Sequence, residues 1–126
     1  MTGIKILVAV FTLLIAASCS NGQNAGSLSP EEFAAKVQSF PTAPIIDVRT
    51  PGEYSSGHLL KATNIDWNSN SFMQTITQYD KKKPIFVYCQ VGGRSSAAAA
   101  AMRSAGFKQV YEMAGGIRSW KEKLVK

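Results

Sequence analysis

Among the 126 residues, the segment richest in chemistry is Ile85-Phe86-Val87-Tyr88-Cys89-Gln90-Val91-Gly92-Gly93-Arg94-Ser95, which runs into an alanine-rich stretch. A strand-like run delivers a cysteine to a glycine-bearing loop, and the loop opens a helix. In open parallel sheets ligands bind at the carboxyl ends of strands, which is where Cys89 stands. Gly92 and Gly93 let the loop curl so that successive backbone N–H groups point inward, and the first helical turn adds unpaired donors and a positive dipole end. Such a cradle stabilises an anion at its centre. It should lower the pKa of Cys89 toward the thiolate and hold an anionic substrate or a persulfide. Arg94 can reach back over the loop and give paired hydrogen bonds to sulfonate-type oxygens, a task lysine does less well. Ser95 either donates to the sulfur or only caps the helix. The plainer reading of Cys89 is an inert buried hydrophobe, and that of Arg94 a structural surface charge; the loop context speaks against both.

The elements that must position this loop can be read from the same chain. Ser29-Pro30-Glu31-Glu32 offers an N-cap, a proline at the first helical position and acidic residues in the first turn, so a helix starts there. Phe33, Val37 and Phe40 would form its buried stripe. After Pro41 and Pro44 come short apolar runs at 45–48, 62–65, 85–88 and 109–113, of the fully buried strand type. Between them lie helical stretches at 51–55, 71–79 and 95–105, with a last helix expected over 117–124. Strand and helix in alternation imply an α/β fold with a parallel sheet and helices on both faces.

The start of the chain reads differently. Lys5 precedes an apolar run from residue 6 to residue 17 that ends in Ala16-Ala17-Ser18-Cys19, the grammar of a signal peptide over 1–18. As a helix this run would span roughly 22 Å, short of the roughly 30 Å hydrocarbon core, which disfavours a permanent membrane span. The small residues before Cys19 resemble a bacterial lipoprotein cleavage site, although Ala16 stands where that pattern prefers leucine. The resemblance implies a lipidated Cys19, export to the cell envelope and a membrane-anchored protein facing the periplasm; an acyl-free mature Cys19 would exclude the anchor. Ordinary signal cleavage is the alternative. Residues 19–27, small, polar and glycine-containing, would then be a flexible tether to a domain over 28–126.

With the signal removed, 13 basic face 8 acidic side chains. That modest balance favours small anions or an anionic lipid surface. Nucleic acid is not expected, since Lys81-Lys82-Lys83 is the only basic run and suits a solvated loop. If Cys19 is acylated, Cys89 is the one free thiol, which argues against a disulfide framework. A single histidine and a single free cysteine supply no metal site, and Gly92-Gly93 lacks the lysine of a nucleotide-binding P-loop, so neither metal nor cofactor is expected.

Three blocks together resemble the rhodanese family of single-domain sulfurtransferases, over about residues 28 to 126. Ile45-Ile46-Asp47-Val48-Arg49 with Glu53-Tyr54 and Gly57-His58-Leu59 is similar to the family's first block. Cys89 to Ser95 matches its C-x-x-G-x-R-S active-site loop. Met113-Ala114-Gly115-Gly116-Ile117 with Trp120 is similar to its closing glycine turn and final helix. The resemblance implies a rhodanese-like fold with a central five-stranded parallel sheet, Cys89 as the persulfide-forming residue, and residues 90 to 94 as the oxyanion and sulfur pocket. The chain departs from the pattern at Leu60-Lys61, where the family usually carries Pro-Gly. Asp47 and Arg49, near the same sheet edge, are expected to form a structural ion pair or hydrogen-bond bracket. His58 is expected to be structural as well, because a low-pKa thiolate needs no general base.

The implied activity is transfer of a sulfane sulfur from thiosulfate or a persulfide to a thiol, a protein cysteine or another thiophilic acceptor, through a Cys89 persulfide. Two alternatives compete with it. A carrier, binding or redox-sensing module would modify Cys89 without turnover, since an exported thiolate can be oxidised. A phosphatase or arsenate reductase of related architecture would place five residues between cysteine and arginine; only four lie between Cys89 and Arg94. The smaller ring suits a single sulfur better than a tetrahedral phosphate.

Overall fold

The computed structural model describes residues 26–126. The expected signal segment, Cys19 and most of the expected tether lie outside that range. In chain order the elements are β1 (Ser27–Leu28), α1 (Pro30–Ser39), β2 (Ile45–Asp47), α2 (Pro51–Ser56), β3 (Ala62–Asn64), α3 (Phe72–Ile76), β4 (Ile85–Tyr88), α4 (Gly93–Ser104) and β5 (Val110–Met113). All strand pairs are parallel, in the order β1-β5-β4-β2-β3. This is the α/β sheet implied by the sequence, with β4, the strand that delivers Cys89, at its centre.

Successive strand residues point to opposite faces, and both faces are covered. Ile45, Phe86, Tyr88, Tyr111 and Met113 pack on one side against Phe33 of α1. Ile46, Val48, Ile85, Val87 and Val110 pack on the other against α3 and α4. Strands buried on both sides need no polar alternation, which explains the continuous apolar runs. On α4 the buried residues are Ser95, Ala98, Ala99 and Met102, one stripe at helical spacing. The alanines let the helix axis approach the sheet closely and bring its first turn over the end of β4.

Local sequence chemistry fixes the helix starts. Ser29 caps α1 by accepting from the Glu32 N–H (3.1 Å), and the Glu32 carboxylate accepts from the Ser29 N–H (3.3 Å). Thr50 and Glu53 repeat the arrangement at α2. Each box satisfies donors the helix leaves open, and loss of the capping side chain typically costs about 0.5–2 kcal/mol.

Besides one-residue shifts at several strand and helix ends, four features differ from the sequence expectation. Ser27, expected in the tether, is already in β1, opposite Glu112 of β5. The 71–79 helix shortens to α3, ending where the Thr77 hydroxyl donates to the Met73 carbonyl (2.7 Å). α4 starts at Gly93, two residues earlier than expected. The last helix, expected over 117–124, is a single 3-10 turn, Ile117–Ser119, after which Trp120 is extended. Tertiary contacts override local propensity there. Trp120 packs edge-on against Phe33 (6.3 Å between ring centroids), and Val125 exchanges backbone hydrogen bonds with His58 (2.9 Å each way). A helix running on to 124 would forfeit that pairing.

Candidate active site

Cys89 follows the last residue of β4, and its sulfur lies under the first turn of α4. The Gly92 N–H donates to Sγ at 3.1 Å, and the Ser95 hydroxyl stands 3.3 Å from it. Gly92 takes φ +113°, a value glycine adopts readily, and so turns its N–H back toward the sulfur. The Ser95 oxygen is also 3.2 Å from the Gly92 carbonyl. One hydroxyl proton cannot serve both, and a thiolate attracts it more strongly than a neutral carbonyl. Burial pushes the Cys89 thiol up, with only 1% of the residue exposed. The Ser95 hydroxyl, then the backbone N–H groups of Ser95, Gly92 and Val91, outweigh that effect, and the pKa falls below its ordinary 9.0.

Beneath the loop lies a buried polar network. Register sets Asp47, the last residue of β2, beside Tyr88, the last residue of β4. The Tyr88 hydroxyl donates to Asp47 Oδ2 (2.7 Å) and accepts from the Leu59 N–H (3.1 Å). Burial first, then the Asp47 charge, push the Tyr88 phenol far up, so it stays a neutral donor. Arg49 grips the same carboxylate through Nε (3.0 Å to Oδ1) and Nη2 (2.7 Å to Oδ2). Burial alone would lower the Arg49 pKa; Asp47 reverses that and keeps the guanidinium charged. Its remaining donors reach the Gln90 side-chain oxygen (3.1 Å) and the Gly57 carbonyl (2.7 Å). Asp47 and Arg49 thus form an ion pair that brackets the Cys89 loop from below.

His58 lies apart from the sulfur chemistry. Its ring stacks on Tyr54 (3.7 Å between centroids) and its Nδ1 donates to the Tyr54 carbonyl (2.9 Å), holding the end of α2. The Arg94 guanidinium, expected to reach back over the loop toward a donor, is engaged by Glu53. Nη1 and Nη2 make a two-pronged pair with the Glu53 carboxylate at 2.7 and 2.9 Å, tying α4 to α2. The Arg94 hydrogen bonds are the chief reason the Glu53 carboxyl falls to about 2.

Several partners of the loop escaped the sequence reading. Glu53 appeared only as part of a motif, although Thr50-Pro51-Gly52-Glu53 carries a capping-box signature; its pairing with Arg94 spans 41 residues and leaves no local trace. Gly116 belongs to the glycine turn after β5. Its backbone takes φ +64° and lies so close to the loop that a Cβ would stand 2.4 Å from the Gln90 carbonyl oxygen and 2.6 Å from that of Cys89. From the same turn the Ile117 N–H donates to the Cys89 carbonyl (2.9 Å) and the Arg118 N–H to the Gln90 carbonyl (3.2 Å). The turn after β5 therefore holds the loop from outside. A cavity of about 570 Å³ opens beside it, walled by Arg49, Glu53, Gly57, Gln90, Arg118 and Leu124 among others. A second cavity of about 580 Å³ lies between α1 and the Leu59-Leu60-Lys61 turn, away from Cys89.

Comparison with known proteins places this geometry in context. The rhodanese-like domain family matches residues 29–123. The chain is 34% identical over 122 residues to the uncharacterized protein YqhL of Bacillus subtilis, covering 96% of this chain and 93% of that one. It is 34% identical over 95 residues to the thiosulfate sulfurtransferase GlpE of Pseudomonas entomophila, covering 75% of this chain and 83% of that one. Among solved structures, a rhodanese-related protein of Thermoplasma volcanium superposes with a TM-score of 0.67 at 24% identity, covering 79% of this chain and 96% of that one.

Proposed function

Because the chain belongs to the rhodanese-like domain family, we propose that it is a sulfurtransferase that carries a sulfane sulfur on Cys89. The observation that carries this reading is the sulfur under the first turn of α4, held by the Gly92 N–H and the Ser95 hydroxyl. Those donors favour the thiolate and then the persulfide, which places its charge one atom further out. The thiolate attacks the outer sulfur of thiosulfate, a new S–S bond forms, and sulfite leaves with the electron pair of the bond that breaks. An acceptor such as cyanide, a small thiol or a protein cysteine then attacks the terminal sulfur, and Cys89 leaves as the thiolate. The backbone N–H groups of Val91, Gly92 and Ser95 are the donors available to the developing charge. The name of the Pseudomonas relative supports thiosulfate as a donor.

The test is thiosulfate:cyanide turnover in the wild type and in Cys89→Ser. Turnover should vanish in the variant while the thermal midpoint stays within a few degrees, because the hydroxyl is smaller and keeps the hydrogen-bond partners. Retained activity in Cys89→Ser would remove the assignment. A carrier or sensor role is the second reading, favoured by the burial of Cys89. Repeated turnover excludes it; a single equivalent of sulfur bound per chain would establish it.

A further inference from the structure

We propose that Arg118 is the specificity-determining cation of this site, the residue that receives the negative charge of the sulfur donor. The inference rests on the sulfur-transfer reading and adds the substrate class: an anion bearing a sulfonate or carboxylate beside its sulfane sulfur.

The cations around the loop are not equivalent. Arg49 is spent on Asp47, the Gln90 side chain and the Gly57 carbonyl. Arg94 gives both terminal nitrogens to Glu53, and the pair is close to neutral as seen by an approaching ligand. The other N–H donors of Arg94 stay open, but an anion there would also meet the Glu53 carboxylate, whose charge offsets that of Arg94. Arg118 also lines the cavity beside the loop, where it is exposed, and its guanidinium has no hydrogen-bond or ion-pair partner among the described residues. The other charged side chains of that wall, Arg49 and Glu53, are paired, so the uncompensated charge there is that of Arg118.

Position is fixed although the side chain is free. The Arg118 backbone N–H donates to the Gln90 carbonyl, and its neighbour Ile117 donates to the Cys89 carbonyl, so the Cα of residue 118 is tied to the nucleophile's own loop. An open side chain anchored this way can meet an anion in the cavity, whose wall includes Gln90, the residue next to the nucleophile. Ile117 and Leu124 supply apolar wall on the same side, which suits the carbon skeleton of an organic persulfide as well as the bare thiosulfate ion. The tie to Gln90 uses only backbone atoms, so replacing the side chain leaves the loop's support intact.

The experiment compares wild type, Arg118→Lys, Arg118→Ala and Arg118→Glu, with thiosulfate as varied donor at low and high ionic strength. The KM should rise in the order Arg, Lys, Ala, Glu, with roughly tenfold between the extremes at low salt, a spread that narrows as salt screens the charge. The kcat at saturating donor should stay level, as expected for uniform binding removed. A second readout needs no turnover: sulfate, a non-reacting anion, should protect Cys89 from alkylation, with half-protecting concentrations in the same order. If wild type turns over and KM is indifferent to the charge at 118, the inference fails while the sulfur-transfer reading stands. If wild type never transfers sulfur but sulfate protection follows the charge order, the anion site stands and the sulfur-transfer reading falls. Parallel loss of kcat in all three variants would mark residue 118 as structural and overturn the inference.

Discussion

At the scale of single residues, the chemistry turns on how two opposed effects on one thiol are balanced. Removing Cys89 from water favours the neutral form, and hydrogen bonds from Ser95 and the loop amides favour the anion; the second set wins. Since the folded pKa lies below 9.0, the thiolate fraction, and with it the alkylation rate, should climb through a midpoint acidic of that value. Ser95→Ala removes the side chain that lowers it most while retaining the helix. The midpoint should then move up, and alkylation at neutral pH should slow by roughly three- to tenfold, as for loss of about 1 kcal/mol of charge-assisted bonding. A pH series of iodoacetamide rates on both proteins measures it, and an unchanged midpoint would assign the Ser95 hydroxyl to the Gly92 carbonyl alone.

At the scale of elements, the loop is a shared product of β4, α4 and the turn after β5. The first two are neighbours in sequence and the third is not, yet the turn donates to the carbonyls of both Cys89 and Gln90. Gly116 is where this packing is tightest. Gly116→Ala would put a methyl 2.4 Å from backbone that has no room to yield, at a φ of +64° that also disfavours a side chain. The expected outcome is a stability loss of about 2 kcal/mol or more, read as a fall in urea midpoint, together with a drop in thiosulfate turnover larger than the loss of folded protein explains. Wild-type turnover per folded molecule would show that the turn does not shape the loop. The shortened chain end follows similar logic, because pairing Val125 with His58 closes the floor of α2 at the expense of a final helix.

At the scale of the whole molecule, the buried Asp47 carboxylate joins parts of the chain that are far apart in sequence. It bonds Arg49 and Tyr88 directly; through them it reaches Leu59, Gly57 and Gln90. Both members of the ion pair are withdrawn from water, Asp47 wholly and Arg49 with 4% exposure, so removing one strands the other. Asp47→Ala should cost about 3–5 kcal/mol, a large part of the roughly 5–15 kcal/mol that holds a small domain together. Equilibrium denaturation of the two proteins would show it, and a change under about 1 kcal/mol would mean that water replaces the carboxylate at no great cost.

What the sequence determined by itself is local: a buried strand ending in Cys89, a glycine loop, a helix start at the right spacing, and strand-helix alternation. Apolar runs, capping residues and glycines act over a few positions, so they can be read before the chain is folded. Only the tertiary structure decided which charge meets which. Arg94 was free to bind a donor until α2 placed Glu53 against it, Arg118 was an unremarked residue in a turn until that turn closed on the loop, and residues 117–124 looked helical until Trp120 and Val125 found partners elsewhere. The reason is that salt bridges and close packing depend on distances set by sheet register and strand order, and those belong to the assembled chain.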